Sequence, residues 1–229
     1  MTRAKHTRRL RVAGIALLVV ALVAGCTKSA DKSPESLVKG LLDITDMPGE
    51  WQETQRDAFT SRTNENPSID PSIWCPDASD EAAGLTELAG AAGADVEMQM
   101  QLDNAEAPRL MRLQAWRNES VREYFTRVVA VVNICDDAKW TEDPGVTQEM
   151  WKIDGPEVGD ESVSWGSGLV PPKGKEMAAS MGHTTVARIG DVIMVLQIGD
   201  YRTTPTSETL SDDEWREIVQ RAADKLADA

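Results

Sequence analysis

Apolar and polar residues alternate over several short stretches of the chain. This period of two predicts strands of an antiparallel sheet that buries one face. Residues 96–102 (VEMQMQL) alternate strictly, and residues 110–116 repeat the pattern after a connection, NAEAP, that suits a hairpin. Residues 146–153 and 161–166 are further strand candidates.

A second hairpin is predicted near the C-terminal end. Residues 183–189 and 192–198 flank Gly190 and Asp191, which can adopt the positive φ angles of a tight turn. Almost every residue of the second arm is apolar, so both of its faces need cover. We therefore expect this strand at the centre of the sheet.

Apolar residues at helical spacing predict helices between and around these strands. One helix follows Ser36, a weak one covers residues 79–92, and a third covers residues 119–134 behind Asn118 as its N-cap. The last helix begins at Ser211 with the sequence SDDE, which is a capping-box motif. The first, third and last of these helices have an apolar stripe with which each can cover a sheet.

The order of these elements predicts an α+β fold. Helices and strands do not alternate in the regular βα repeat that a parallel sheet needs. Residues 60–78 hold three prolines and many turn formers, so they are expected to form a loop. The prediction is a single domain with an antiparallel β-sheet flanked by helices.

The N-terminal segment has the layout of a secretory signal peptide. Its first eleven residues carry five positive charges and no acid, and an apolar run follows over residues 12–24. This run is too short to span a membrane comfortably. It ends in LVAGC at residues 22–26, which resembles the bacterial lipobox, where a cysteine becomes an acylated N-terminus.

This resemblance implies cleavage before Cys26 and diacylglycerol on its sulfur. We then expect a signal peptide at residues 1–25, a lipidated tether at 26–36 and the domain at 37–229. Two acyl chains anchor a protein stably, whereas one does so only marginally. The expected location is the extracytoplasmic face of the cell membrane; an ordinary signal peptide that contains a cysteine is the alternative.

The charge of the chain narrows the choice of partners. Acidic residues outnumber basic ones by 38 to 24, and the formal net charge is −14. Such a surface repels nucleic acids and anionic lipid headgroups. The acids are scattered rather than clustered, so the charge alone identifies no ligand.

The cysteine count predicts one disulfide. With Cys26 acylated, Cys75 and Cys135 remain as an even pair in an oxidising compartment. Two free buried thiols are the alternative. The chain after Cys26 holds a single histidine, His183, and no CxxC motif, so we expect no metal site and no cofactor.

No arrangement of residues in the sequence indicates catalysis. The segment SWGSG at residues 164–168 fails the G-x-S-x-G register of a nucleophile elbow. Neighbouring acids such as Asp212 and Asp213 are explained by a helix N-terminus, and no glycine-rich phosphate loop follows a strand. A glycosidase pair formed by distant acids stays open. We expect no catalytic residue and no enzyme activity.

Four residues on predicted strands are candidates for contact with a ligand. They are Arg112, Trp116, Trp165 and Arg188. Aromatic side chains exposed in a cleft suit sugars or lipid tails. Core packing is the favoured alternative for the tryptophans, because the chain has only two phenylalanines.

Several short motifs resemble one group of extracellular domains. They are DMPGEW at residues 46–51, VGDES at 158–162 and VARIGDV at 186–192, together with the cysteine pair. The pattern is similar to the sensor domains of actinobacterial envelope proteins, a group that includes the PknH-like receptor kinase ectodomain and related secreted lipoproteins.

The resemblance covers roughly residues 35–228 and implies a helix-flanked antiparallel sheet with a cleft. It also implies a ligand-binding role without catalysis. Domains of this kind carry two disulfides, whereas this chain has cysteines for one, and the chain lacks a kinase domain. The expected function is a cell-surface lipoprotein that binds a small molecule or an envelope protein. A hydrolase acting on envelope glycan or peptide, and a structural or assembly factor, are the alternatives.

Overall fold

An eight-stranded antiparallel sheet lies at the centre of the part of the chain that the structure describes. The structure is a computed structural model, and it describes residues 33–59, 75–88, 92–101, 108–117, 119–142, 145–170, 179–202 and 211–229. The strands are β1 (Gln52–Phe59), β2 (Gly93–Met100), β3 (Arg109–Arg117), β4 (Ala138–Glu142), β5 (Val146–Ile153), β6 (Glu161–Val170), β7 (Ala179–Ile189) and β8 (Val192–Arg202). The helices are α1 (Pro34–Gly40), α2 (Ser79–Leu88), α3 (Val121–Ile134) and α4 (Asp212–Ala227).

The strands lie in the order β1-β2-β3-β8-β7-β6-β5-β4, and every neighbouring pair is antiparallel. The first three strands and the last five form two halves, which join where β3 pairs with β8. The predicted β7–β8 hairpin is present, and Gly190 in its turn has a φ of +61°. The prediction of an α+β domain with an antiparallel sheet is confirmed.

Helices cover both faces of this sheet. Helices α1 and α4 pack on one face, which we call the α4 face, and α2 and α3 pack on the other, which we call the α3 face. Met194 and Leu196 of β8 belong to the core on the α4 face, while Ile193 and Val195 belong to the core on the α3 face. This arrangement confirms that β8 is central and buried on both sides.

The predicted disulfide joins Cys75 to Cys135, with their Cα atoms 5.6 Å apart. Cys75 precedes a 3-10 turn at Pro76–Ala78 that leads into α2, and Cys135 follows the last residue of α3. The bond therefore links the two helices of the α3 face. On the chain-entropy account, closing the loop between Cys75 and Cys135 stabilises the fold by about 4 kcal/mol.

Two strands and several boundaries differ from the sequence-based expectation. Strands β1 and β4, which lie at the two edges of the sheet, are not predicted from the sequence. Helix α1 begins at Pro34, within the segment predicted as tether, and α3 begins at Val121 after Ser120. Helix α2 ends at Leu88, and β6 continues to Val170.

Some predictions concern residues outside the described ranges. The signal peptide at residues 1–25, Cys26 and the proposed cap Asn118 are among them. Within the ranges given above, no helix is both long and apolar enough to cross a membrane.

Candidate functional site

A groove of about 400 Å³ opens on the sheet, across strands β1, β2, β3, β8, β7 and β6. Its walls include Glu97, Leu110, Arg112, Ser167, Thr184 and Gln197. Every second side chain of a strand lies on the same face of the sheet. Arg112 therefore lies on the face of Trp116, Thr184 on that of Val186 and Gln197 on that of Val195. These three core residues pack on the α3 face, so the walls of the groove lie on that face too. None of the described lining residues belongs to a helix.

Two glycines form the floor of the groove. Gly182 of β7 and Gly199 of β8 lie directly opposite each other in the ladder. A Cβ atom on Gly199 would lie 3.6 Å from the carbonyl oxygen of Met181 and 3.8 Å from the Cα of Gly182, which are ordinary contacts. The backbone therefore does not require glycine at position 199. What the glycine provides is free space above the sheet.

A row of polar side chains crosses the sheet beside this floor. Glu97 pairs with Arg112, Arg112 with Gln197, and Gln197 with Thr184 in consecutive strands. Side chains that lie directly opposite in a ladder are in contact range. The row thus brings a carboxylate, a guanidinium, an amide and a hydroxyl to one wall of the groove.

Arg112 holds the electrostatic centre of this row. Its Nη2 atom lies 3.2 Å from Oδ2 of Asp95, and its Nε atom lies 3.3 Å from Oε1 of Glu97. The Asp95 side chain is 2% exposed, whereas that of Arg112 is 28% exposed. Gln114, with its amide oxygen turned toward Arg112, accepts from Nε and Nη2 at 3.2 and 3.1 Å. The guanidinium is therefore fixed in place by acceptors on its own sheet.

The lining also has an apolar part. Leu110, which is 39% exposed, lies two residues before Arg112 on the same face of β3. An exposed leucine beside a polar row gives the groove one wall that can contact carbon-bound hydrogens. The groove as a whole combines polar groups with apolar surface, as small-molecule sites commonly do.

Of the four residues expected to contact a ligand, only Arg112 lines this groove among the residues described. Trp116 is completely buried, and its ring meets Tyr124 edge to face with centroids 5.3 Å apart. Trp165 is 1% exposed in the same core. Both indoles thus pack in the interior, which is the alternative that the scarcity of phenylalanine favoured.

Arg188 lies away from the groove and connects two parts of the chain. Its Nη1 is 2.8 Å from Oδ2 of Asp160, and its Nε is 2.7 Å from Oε2 of Glu161. The same Asp160 oxygen accepts from the backbone N–H of Gly190 at 2.9 Å. The side chain is only 13% exposed. Arg188 therefore fixes the start of β6 against the β7–β8 turn.

The described residues offer no obvious catalytic arrangement at the groove. Glu97 is the single carboxylate among the described lining residues, so the pair that a glycosidase needs is not formed by them. Ser167 lies on the α3 face, whereas the His183 ring lies on the α4 face, 5.2 Å from the Trp215 ring. In the part of the chain described, no three acidic, histidine or cysteine side chains come together as a metal site requires.

The glycine floor is not among the sites predicted from the sequence, although the sequence contains a signal for it. A tight turn at Gly190 and Asp191 sets the register of the hairpin, and that register pairs position 182 with position 199. Two glycines opposite each other in the interior of paired strands indicate a place where something approaches the backbone closely. Arg112 could be selected because it is a charged residue inside a strand.

The extracellular domain of PknH from Mycobacterium tuberculosis has a similar fold. The TM-score is 0.54 at 11% sequence identity, over 86% of this chain and 97% of that chain. The likeness confirms the PknH-like fold that the short motifs implied. Neither a protein-family profile nor a curated protein matches the sequence.

Proposed function

We propose that this chain is a lipoprotein tethered through Cys26 to the extracytoplasmic face of the membrane, and that its domain binds a small molecule without catalysis. The LVAGC sequence behind a basic and then apolar segment supports the anchor. A fold shared with an extracellular domain supports the location outside the cytoplasm.

The glycine floor is the observation that carries the binding role. Side chains usually fill the space above a sheet next to a hydrophobic core, because empty space there loses packing energy. Here the side chains are absent at two opposite positions, and polar groups line the resulting groove. A concave site of about 400 Å³ can enclose a small molecule, whereas the flat surface of a partner protein would not fill it. We therefore favour a small molecule over an envelope protein as the direct ligand.

Native mass spectrometry of the full chain, purified from its own membrane in detergent, tests the binding role. We expect the wild-type protein to retain a small molecule. We expect Gly199→Val, which fills the floor of the groove, to lose it. Ala58→Val is the matched control, because Ala58 is an exposed position on β1 outside the groove. Repeated recovery of an empty wild-type chain, or equal retention by Gly199→Val, would contradict the proposal.

Membrane fractionation of Cys26→Ser tests the anchor separately. Without the sulfur, the thioether bond to diacylglycerol cannot form. The variant should therefore leave the membrane fraction that holds the wild-type protein. Ser29→Ala is the control, since it changes a neighbouring residue and leaves the cysteine. Membrane retention of Cys26→Ser equal to that of the wild type would exclude the lipid anchor.

A further inference from the structure

We infer that the groove selects an uncharged, hydroxyl-rich ligand, namely a neutral saccharide, and discriminates against anionic counterparts of the same size. This inference rests on the proposed binding role of the groove. It follows from three features of the lining: the balance of charge, the mixture of donors and acceptors, and the bare backbone of the floor.

The charge of the lining opposes an anion. Arg112 is the only arginine or lysine among the described lining residues, and it already contacts the carboxylates of Asp95 and Glu97. Two carboxylates against one guanidinium leave this cluster with a formal charge of −1. A phosphate or carboxylate on a ligand would have to displace Glu97 from Arg112 or lie beside it. Either arrangement leaves two like charges close together in a partly desolvated site, which is unfavourable.

The polar groups of the lining match hydroxyls. A hydroxyl both donates and accepts, so a saccharide needs partners of both kinds. Arg112 supplies donors, Glu97 supplies acceptors, and Gln197, Thr184 and Ser167 supply both. These side chains come from five different strands, which hold them on a rigid sheet. An apolar ligand would displace water from these groups without replacing the hydrogen bonds that the water makes, at a cost for each one.

The floor fits a flat ring. Gly182 and Gly199 expose peptide backbone over two neighbouring strands, so a ring can lie against the sheet without meeting a side chain. Leu110 stands at one side and can contact the carbon-bound hydrogens of that ring. A compact ring with hydroxyls at its edge uses the floor, the polar row and this leucine at the same time.

Saturation-transfer NMR on the full chain in detergent micelles tests the inference. The probes are neutral mono- and disaccharides, including N-acetylated ones, each paired with its phosphorylated or uronic-acid counterpart. We expect at least one neutral probe to bind, and its anionic partner to bind about tenfold more weakly or not at all. Glu97→Gln removes the carboxylate beside Arg112 while it keeps the shape of the side chain. In this variant the preference should shift toward the anionic partner by about tenfold.

Glu149→Gln is the matched control. It changes the net charge of the chain equally, but Glu149 lies on β5, outside the described lining of the groove, where it pairs with Lys139. The Glu149→Gln variant should keep the wild-type preference for the neutral probe over its anionic partner. The inference is overturned if no neutral probe binds, if anionic partners bind wild type as well as neutral ones do, or if Glu97→Gln leaves the preference unchanged. If native mass spectrometry shows a retained ligand while all saccharides fail, the binding role stands and this assignment of ligand class falls.

Discussion

Arg112 and Arg188 have the same side chain on the same sheet, but their surroundings give them different roles. Arg112 faces an open groove and keeps 28% of its side chain exposed. Arg188 is 13% exposed and joins two acids and a turn. Sequence alone treats the two residues alike, because both are arginines on predicted strands. Only the tertiary position of their partners separates the arginine that lines the groove from the one that joins two segments of the chain.

Replacement of Arg188 by methionine should destabilise the domain. The change removes the charge that holds Asp160 and Glu161, and it leaves two partly exposed carboxylates close together. The free energy of unfolding should fall by about 1–2 kcal/mol, more than for an isolated surface pair. Chemical denaturation measures this loss. Lys139→Met is the control: its side chain is 65% exposed and it forms a surface ion pair with Glu149, so the change should stay within about 0.5 kcal/mol. Equal effects of both substitutions would show that Arg188 has no special structural role.

The tryptophans show a limit of prediction at this scale. Trp116 and Trp165 were predicted on strands, and they lie on strands. Whether an indole on a strand faces a core or a cleft depends on which part of that face a helix covers. Helix α3 and the residues around it bury these positions, and the alternation of the strand contains no information about how far a helix extends across the sheet.

Among the elements, the apolar strands and amphipathic helices could be predicted and the polar edge strands could not. Strand β8 is recognisable because both of its faces are apolar, and α4 because Ser211 and Glu214 form the capping box that the sequence predicts. Strand β1, with the sequence QETQRDAF, is largely exposed. Its backbone pairs with β2, but its side chains bury little, so no period of two marks it.

A second capping box, which the sequence analysis did not select, joins the N-terminal part of the domain to α4. Asp43 and Asp46 cap a 3-10 turn at Ile44–Asp46, and Lys225 of α4 donates to both carboxylates, at 3.1 and 2.6 Å. Hydrogen bonds from Thr45 and from Lys225 lower the pKa of Asp43 far below its ordinary value of 3.8. Burial acts to lower the pKa of Lys225, but the hydrogen bonds to Asp46 and Asp43 outweigh it, and that pKa is raised.

This contact should make the free energy of unfolding depend on pH in the acidic range. Because the pKa of Asp43 is lowered in the folded state, its contribution is fully present above the unfolded pKa near 3.8 and is lost as the pH falls further. Asp43→Asn should therefore be less stable than wild type by about 0.5–1 kcal/mol at neutral pH, a modest figure because the Asp43 side chain is 47% exposed. The gap should shrink as the pH falls below 3.8. Urea denaturation across this range measures it, and a gap that does not change with pH would contradict the assignment.

At the scale of the whole molecule, the order of strands determines which parts hold the structure together. Strands β3, β8 and β7 lie in the interior of the sheet between two layers of helices, whereas β1 and β4 lie at its edges. The fold class and the position of β8 follow from patterning. The pairing of β3 with β8 does not follow from patterning, because no local sequence signal specifies which distant strand pairs with the free edge of the β2–β3 hairpin.

Hydrogen exchange should reflect this order. Backbone amides in β3, β8 and β7 should exchange slowest, since they open only when the whole sheet does, and amides of β1 and β4 should exchange faster by local opening. Exchange followed by mass spectrometry resolves these segments. Protection of β1 equal to that of β8 would mean that the edge is covered in the intact protein.

The junction of β3 with β8 also has a consequence for the chain while it is being made. The two strands pair along nine positions from Arg109 to Arg117, yet the chain must reach residue 192 before β8 begins. A ribosome releases residues in order, so β3 waits with bare N–H and C=O groups along one side while about 75 further residues are synthesised. Closure of the sheet is thus a late step in the folding of the chain. Until it occurs, the nascent chain presents an open strand that a neighbouring copy can pair with in place of β8.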